Sequence, residues 1–161
     1  MSEPSENIID MFQQAMVLQD AGKFNEAVAY YNNVLAIDPC HVESWINKGL
    51  ALWRLEYHEA ALQSYNSALE FEPRNAIAWM NKGNTLSSLG QQEEALSCYD
   101  RALEIDPLMS RAWYNKGDEQ GRRKRVIEAK ACFENAYNLG LSQAQEMIVR
   151  CEQILMNEWY G

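Results

Sequence analysis

The sequence contains Trp45-Ile46-Asn47-Lys48-Gly49, then Trp79-Met80-Asn81-Lys82-Gly83, and then Trp113-Tyr114-Asn115-Lys116-Gly117. Each stretch begins 34 residues after the previous one, and a period of about 20 to 50 residues is typical of proteins built from stacked repeats. The same spacing continues through Ala61, Ala95 and Ala129, through Tyr65, Tyr99 and Phe133, through Ala68, Ala102 and Ala136, and through Pro73 and Pro107. The spacing therefore predicts a repeat protein.

A weaker copy of the pattern precedes these three. One period before Trp45 the chain has Met11, and the equivalent positions continue as Ala15, Gly22, Phe24, Ala27, Tyr31, Val34 and Pro39. The sequence thus predicts four repeats, at residues 8–41, 42–75, 76–109 and 110–143, after an N-terminal extension at residues 1–7.

Each repeat is predicted to be a hairpin of two helices, A and B. Apolar residues recur at helical spacing, with Gly22 or Gly90 near the middle of a copy and a proline at its end. In the second copy we expect helix A at 42–55 and helix B at 58–71, because Pro73 cannot continue a helix. One hairpin cannot bury its apolar face alone, so the hairpins are expected to stack into an all-α solenoid.

The W-x-x-x-G, A-x-x-x-[YF]-x-x-A and P pattern at this period resembles the tetratricopeptide repeat over residues 8–143. The resemblance implies a right-handed superhelix of about nine α-helices. The end copies depart from the pattern, with Met11 and Ala15 in place of Trp and Gly in the first and with Lys124 and Leu141 in place of Gly and Pro in the fourth. Such departures are expected where one face of a repeat meets solvent or a cap.

The last segment, residues 144–161, is predicted to be a capping helix. Gly140 is expected to end the preceding helix, and Ser142 with Gln145 is typical of a capping box. One helical face then carries Ala144, Met147, Ile148, Cys151, Leu155 and Trp159. A helix with this apolar face can cover the last hairpin, or it can act as a detachable arm that occupies a binding groove.

Composition and charge exclude several classes of protein. The 161 residues fit one domain, and 47% hydrophobic with 23% charged residues is an ordinary globular composition. The net charge of −9 disfavours general nucleic-acid binding. No apolar run of 18 residues occurs and the N-terminus is acidic, so we expect a cytoplasmic protein that does not enter a membrane. The cysteines, Cys40, Cys98, Cys132 and Cys151, are expected to be reduced and buried.

Catalysis has little support in the sequence. The two histidines, His41 and His58, lie at a repeat boundary and a helix start, and no H-E-x-x-H motif, glycine-rich phosphate loop or Cys/His metal spacing occurs. The carboxylates are scattered along the repeats instead of meeting at one place. We therefore expect no enzyme activity, no cofactor and no metal.

The candidate binding residues lie on the second face of helix A. The face with Trp45, Gly49 and Leu52 is expected to meet helix B, whereas Ile46, Leu50 and Trp53 point away from it. In the tetratricopeptide family that second face lines a concave groove for peptides, and the resemblance places Phe12, Met16, Ile46, Leu50, Trp53, Ile77, Met80, Asn84, Arg111 and Tyr114 there. Ile9, Glu43, Arg54, Ser88, Asp118 and Arg122 belong to the same set. Burial of these apolar side chains between neighbouring helices A is the alternative.

Asn47, Asn81 and Asn115 lie at the edge of this face, 34 residues apart. A ladder of carboxamides offers donors and acceptors that can hold the backbone of an extended peptide, as such asparagines often do in the family. The alternative is that each asparagine bonds to the neighbouring repeat. Lys48, Lys82 and Lys116 form a parallel ladder whose stems are expected to cover apolar surface.

Two further patterns concern the partner. Some family members bind C-terminal carboxylates of chaperone tails through five Lys, Asn and Arg side chains, and the equivalent positions here keep only Asn81 and Arg111 as matches, so this partner is a minor alternative. Arg122-Arg123-Lys124-Arg125 makes the fourth copy basic. This cluster is expected to be a solvated turn, or else a surface that orients an acidic segment of a partner.

Together these features predict a protein-interaction module that binds a peptide of a partner protein through an apolar strip and an asparagine ladder. The alternative is a structural module that self-assembles into a homo-oligomer through the groove or the C-terminal helix.

Overall fold

A computed structural model describes the backbone of residues 4–160 and the side chains of residues 7–157. This part of the chain contains nine α-helices and no strand. The helices are α1 (Pro4–Asp20), α2 (Phe24–Ile37), α3 (Val42–Arg54), α4 (His58–Phe71), α5 (Ala76–Ser88), α6 (Gln92–Ile105), α7 (Ser110–Arg122), α8 (Val126–Asn138) and α9 (Ala144–Tyr160). The predicted all-α solenoid is confirmed.

Consecutive helices pair as hairpins, and the hairpins stack in chain order. Each helix packs against the next along the chain, and helices A of neighbouring repeats also meet, as α1 with α3, α3 with α5 and α5 with α7. In the second repeat, helix B has the predicted bounds and helix A ends at Arg54, one residue early. Helix α1 begins at Pro4, so much of the predicted extension at 1–7 is helical; residues 1–3 lie outside the described residues.

The contact between helices A and B depends on a glycine facing an aromatic ring. A Cβ atom added at Gly49 would lie 2.7 Å from Cε1 of Tyr65, and one at Gly83 would lie 2.7 Å from Cε1 of Tyr99. These distances are far below van der Waals contact, and both rings are almost completely buried. The glycine therefore lets each ring lie directly against the backbone of helix A.

Successive hairpins are joined by a hydrogen bond from each repeated tryptophan. The indole Nε1 of Trp45 donates to the carbonyl of Pro39 at 2.9 Å, and Trp79 and Trp113 donate to Pro73 and Pro107 at 3.0 and 2.9 Å. The proline ends helix B of one repeat, and the tryptophan lies in helix A of the next. The bond thus holds the connecting loop against the stack.

The turn inside each hairpin requires a left-handed residue. Gly22 and Gly90 adopt φ of 75°, and the equivalent residues Glu56 and Lys124 adopt 63° and 58°. Only glycine takes this conformation without steric cost, so the second and fourth repeats carry backbone strain that the other two avoid. Lys124, which stands where the repeat pattern has glycine, therefore keeps the same left-handed turn.

Helix α9 covers the last hairpin. Its residues Ala144 and Cys151 are buried against Phe133 and Ala136 of α8. The predicted capping box is wrong, because the N–H of Gln145 donates to the backbone carbonyl of Ser142, at 3.1 Å, and not to its hydroxyl. Gly140, with φ of 90°, follows the last residues of α8 as predicted. The side chain of Trp159 lies outside the described residues.

Three of the four cysteines are buried, as predicted, and Cys40 is exposed in the loop before α3. The prediction for Cys40 is wrong because that loop lies outside the packed helices. Burial raises the pKa of the Cys98 thiol to about 11, and it also raises the pKa values of Cys132 and Cys151. All four thiols are free.

Gly83→Ala is expected to lower the free energy of unfolding by up to about 2 kcal/mol. Alanine favours the helix by about 1 kcal/mol, but overpacking of a close-packed core costs about 1–3 kcal/mol. The ring of Tyr99 cannot move aside, since it is buried, and the carbonyl oxygen of Ala95 lies 3.2 Å from the same Cβ position. Urea unfolding followed by circular dichroism measures the change.

Gly121→Ala is the matched control in the neighbouring helix A. A Cβ there meets nothing closer than the Cβ of Ala129, at 4.0 Å. We expect this variant to be as stable as the wild type or more stable, by up to about 1 kcal/mol. Equal behaviour of the two variants would contradict the importance of the glycine–ring contact.

Because only one of the four cysteines is exposed, we expect one fast-reacting thiol in the native protein. At pH 8 the exposed Cys40 should react quickly with Ellman's reagent, and Cys40→Ser should remove that phase. The raised pKa values of the three buried cysteines leave little thiolate at this pH, and thiolate is the reacting form. All four thiols should react in guanidinium chloride, and more than one fast native thiol would show that the buried cysteines are accessible.

Candidate functional site

Helices A of the second, third and fourth repeats enclose a polar pocket together with α6. We call it the groove pocket, and its volume is about 260 Å³. It is lined by Trp53, Asn84, Ser87, Ser88, Tyr99, Asn115, Asp118 and Arg122. Six of these were predicted to lie on or beside the groove face: Trp53, Asn84, Ser88, Asn115, Asp118 and Arg122. The pocket therefore collects side chains from three consecutive repeats.

Trp53 forms the wall of the groove pocket that the second repeat contributes. Its indole Nε1 donates to the hydroxyl of Ser88 in the next repeat at 3.1 Å. The guanidinium of Arg54 lies 5.2 Å from the ring centroid, within the range of a cation–π contact. The indole also packs against the core of its own repeat. These contacts hold the ring in one orientation, with part of its surface exposed to the pocket.

The floor of the pocket is a hydrogen-bonded cluster of Asn84, Tyr99 and Asn115. The Oδ1 atom of Asn84 accepts from the Tyr99 hydroxyl at 3.0 Å and from Nδ2 of Asn115 at 2.7 Å. Burial, followed by the charge of Glu119, raises the pKa of Tyr99 well above its usual value, so the hydroxyl stays protonated and donates. Among the described side chains, Nδ2 of Asn84 and Oδ1 of Asn115 form no hydrogen bond. The pair therefore offers a donor and an acceptor.

A buried carboxylate supports the pocket from below. Glu119 is 1% exposed and its Oε2 accepts from the Ser87 hydroxyl at 2.6 Å, with Nη1 of Arg122 at 3.9 Å. Its other oxygen, Oε1, has no hydrogen-bond partner in the described part of the chain. Arg122 also pairs with Asp118 at 3.0 Å. The positive charge of Arg122 is therefore balanced inside the protein.

An apolar cleft of about 260 Å³ continues from the groove pocket to the C-terminal helix. We call it the C-terminal cleft. It shares Asp118 and Arg122 with the groove pocket, and its other lining residues are Gly121, Val126, Ala129, Phe133, Met147, Arg150, Cys151 and Ile154. A polar pocket and an apolar cleft thus lie on either side of the same two residues.

Several predicted groove residues are parts of the core. Ile46 is only 9% exposed and belongs to the buried cluster of Leu52 and Tyr65, so its prediction as an open groove residue is wrong. Phe12 packs against Tyr31 and His41, at centroid distances of 5.9 and 5.0 Å. Ile46 is therefore buried and Phe12 partly buried, but by contacts that include helix B and a loop and not only by neighbouring helices A, the alternative given above.

Of the other apolar residues predicted to line the groove, some contact the core and others are exposed. The ring of Tyr114 meets Phe133 at 5.3 Å in an edge-to-face contact, and Met80 packs against the core of the third repeat. Leu50 is half-buried. Met16 and Ile77 are exposed, at 42% and 53%. Neither lines the groove pocket or the C-terminal cleft, and the predicted continuous apolar strip is therefore interrupted by polar residues.

The three laddered asparagines have different surroundings. Nδ2 of Asn47 donates to the carbonyl of Glu43 in its own helix at 2.9 Å, whereas Asn115 bonds to Asn84 of the neighbouring repeat. Asn81 is half-buried outside the groove pocket, and Arg111 is exposed. Only Asn115 of the ladder reaches the pocket.

Two of the four basic residues of the fourth-repeat turn, Arg122 and Arg123, form internal ion pairs, and Lys124 and Arg125 are exposed. Arg123 forms a bidentate ion pair with Glu93 at the start of α6. This pair lowers the pKa of Glu93, first through the hydrogen bond from Arg123. Together with the pairing of Arg122, it ties the turn to the third repeat.

Ser87, Tyr99 and Glu119 are site residues that sequence reasoning did not predict. A signal for Glu119 was present, because the equivalent residues are Ala51 and Thr85, which are buried small side chains. A carboxylate at a buried small-residue position requires a polar neighbour. Tyr99 occupies the same repeat position as the core rings Tyr65 and Phe133, and the sequence does not distinguish it from Tyr65; only the bond of its hydroxyl to Asn84 does.

Comparisons with known proteins agree with this architecture. Three sequence models, each described as tetratricopeptide repeat, match residues 12–76, 76–107 and 110–139. The chain belongs to the tetratricopeptide repeat family. It is therefore a protein-interaction or assembly module, built from four repeats and a capping helix. A search of curated proteins finds no significant match to the sequence.

Solved structures of the tetratricopeptide fold are similar to the chain. A structure described as MamA protein has a TM-score of 0.80 and 18% identity, over 92% of this chain and 82% of that chain. Another crystal structure of MamA gives 0.78 and 20%, over 88% and 83%. MamA 41-end from Desulfovibrio magneticus RS-1 gives 0.76 and 22%, over 84% and 77%. At these identities the likeness establishes the fold.

Membrane spans and metal sites have no candidate among the described residues. Within the described residues, no helix is both long and apolar enough to cross a bilayer. The same residues contain no group of three or more His, Cys, Asp or Glu side chains arranged to hold a metal ion.

Ser87→Ala is expected to destabilise the protein by about 1–3 kcal/mol, the cost of leaving a buried acceptor without its donor. The lost donor is the one hydroxyl bonded to Glu119. Ser97→Ala is the control, because that exposed hydroxyl donates only within its own helix, to the carbonyl of Glu93. Urea unfolding at pH 7 measures both changes, and equal stability of the two variants would show that Ser87 does not support the buried carboxylate.

Proposed function

We propose that the chain is a non-catalytic adaptor that binds a peptide segment of a partner protein across the groove pocket and the C-terminal cleft. The observation that carries this proposal is the groove pocket itself, which side chains of three consecutive repeats line. A segment that crosses it would contact all three repeats at once. Such a surface exists only in the folded stack.

The polar floor of the pocket is suited to the backbone of an extended peptide. Nδ2 of Asn84 is a donor and Oδ1 of Asn115 is an acceptor, and both belong to a cluster whose other bonds are made internally. A peptide group presents a carbonyl and an N–H, which complement this pair. We therefore assign the role predicted for the asparagine ladder to Asn84 and Asn115.

Trp53 and the C-terminal cleft supply the apolar contacts in this proposal. Aromatic side chains are enriched among the residues that dominate binding energy, and Trp53 is held in place by Ser88 and Arg54. The cleft adds Phe133, Met147 and Ile154, and methionine adapts to differently shaped ligands. An apolar side chain that follows the bound peptide group would fit there.

The charges at the site do not favour an acidic ligand. Asp118 and the buried Glu119 outnumber Arg122, which pairs with both. An anionic segment would have to displace these internal partners, so a neutral or basic segment is favoured. This balance also argues against capture of a C-terminal carboxylate at the groove pocket.

Self-association is a second candidate, supported by the first helix. Val17 is 61% exposed, whereas the equivalent Ala51, Thr85 and Glu119 are buried against the preceding repeat. Helix α1 thus presents a face that every later helix A covers with another hairpin. A second copy of the chain is one occupant that would cover it.

Trp53→Ala is expected to weaken binding of selected peptides by about 2 kcal/mol or more, roughly 30-fold, as for other buried aromatic anchors. The peptides would come from a display library selected against the immobilised wild-type protein. Fluorescence polarisation measures their affinities, with the double variant Asn84→Ala, Asn115→Ala as a second test. We expect the double variant to lose affinity for peptides of different sequence alike, since it removes backbone contacts.

Tyr57→Ala is the control, because Tyr57 is 58% exposed and lies outside the groove pocket. It should bind like the wild type, and circular dichroism should show that all variants remain helical. Unchanged affinity of Trp53→Ala would reject the groove pocket as the binding site. Light scattering of the free protein at several concentrations separates the second candidate, which requires a mass that rises with concentration.

A further inference from the structure

A separate pocket lies between α3 and α4 of the second repeat. We call it the Lys48 pocket; its volume is about 240 Å³, and it shares no residue with the groove pocket. It is lined by Trp45, Lys48, Leu52, Ala60, Gln63, Ser64 and Ser67. The lining therefore combines one cation, an indole and several neutral polar groups, without an acidic side chain.

The other repeats carry a carboxylate where this pocket has Ala60. The equivalent residues are Glu26, Glu94 and Glu128. The second repeat alone replaces this glutamate with a methyl group. Ser67 is likewise smaller than its equivalents, Arg101 and Asn135.

Lys48, like Lys82 of the third repeat, forms no ion pair with a carboxylate of the described residues. The equivalent Lys116 pairs with Asp100 of the preceding repeat, but the residue at that place relative to Lys48 is Asn32. Among the described side chains, no carboxylate lies within 4.0 Å of the Lys48 ammonium, which sits 4.8 Å from the centroid of the Trp45 ring. Partial burial lowers the pKa of Lys48, because the charged form loses hydration that no anion replaces.

We propose that the Lys48 pocket binds the carboxylate of an aspartate or glutamate side chain of a partner polypeptide. The incoming carboxylate would bring a negative charge to the one repeat that lacks a glutamate at this position of helix B. The pocket is smaller than the roughly 300–1,000 Å³ of sites that hold whole small ligands, and its size suits one side chain.

The hydrogen-bonding groups of the pocket agree with an anionic ligand. The Lys48 ammonium is the main donor, and a charge-assisted bond to a carboxylate is about twice as strong as a neutral one. Gln63 and Ser67 offer further donors at the rim. The Ser64 hydroxyl is already used, since it donates to the carbonyl of Ala60 at 3.0 Å. The indole of Trp45 lies beside the Lys48 ammonium. It would limit the access of water to an ion pair between Lys48 and the bound carboxylate.

The test compares two peptides that differ only in charge. The ¹⁵N-labelled protein is titrated with Ac-Ala-Glu-Ala-NH₂ and, separately, with Ac-Ala-Gln-Ala-NH₂, and the indole N–H resonances of Trp45, Trp79 and Trp113 are followed by NMR. Trp79 and Trp113 are internal controls, because they occupy the same position in other repeats. We expect a saturable shift of the Trp45 resonance alone, with the glutamate peptide alone.

Two variants remove the site in different ways. Lys48→Met keeps an apolar stem and removes the charge, and it should weaken the glutamate peptide at least about tenfold. Ala60→Glu introduces the residue that the other three repeats carry there, and the internal carboxylate should block the peptide equally. Lys82→Met is the matched control and should leave the Trp45 shift unchanged. Circular dichroism establishes that each variant is folded.

Several results would overturn the proposal: an equal response to the glutamine peptide, equal shifts of all three indoles, or an undiminished shift in Lys48→Met or in Ala60→Glu. Sodium acetate at the same concentration is a further arm. If acetate shifts the Trp45 resonance as strongly as the peptide does, the site takes any small anion and the polypeptide side chain is rejected as its occupant. None of these outcomes bears on the groove pocket, which shares no residue with this site.

Discussion

The rest of the structure depends on the contact between a glycine of helix A and an aromatic ring of helix B. At Gly83 even one methyl group would overlap Tyr99, so the distance between the paired helices is set by the backbone itself. Close approach buries the ring, and burial of large aromatic surface is the main stabilising term of each hairpin. The first repeat retains the ring, Tyr31, but has Ala15 in place of the glycine. This departure lies at the N-terminal end of the stack.

Function arises where the repeats differ at equivalent positions. The same buried position of helix A carries Ala51, then Thr85, then Glu119, and only the last brings a charge beneath the groove pocket. The same position of helix B carries Ala60 in the second repeat and glutamate in the others, which opens the Lys48 pocket. Both proposed sites therefore result from single departures within a scaffold that the remaining residues keep regular.

The candidate site was predictable in part. Family resemblance placed Trp53, Asn84 and Asn115 on the groove face, and the structure brings these three together. Ile46 shares that face in the sequence but is buried, because the next hairpin covers the part of helix A nearest its start. The laddered Asn47 turns back to its own helix. Equivalent residues thus have unequal exposure, and a repeat pattern cannot show which of them an adjoining repeat covers.

The sequence by itself determined the 34-residue period, the hairpins and the capping helix. These follow from local periodicity and from residue size, which are the same in any copy. Only the tertiary structure decided that Asn84 meets Asn115, that Ser87 satisfies Glu119 and that Lys48 has no carboxylate beside it. Those contacts join side chains from different helices, most of them about one repeat apart, and their rotamers depend on packing that no single repeat contains.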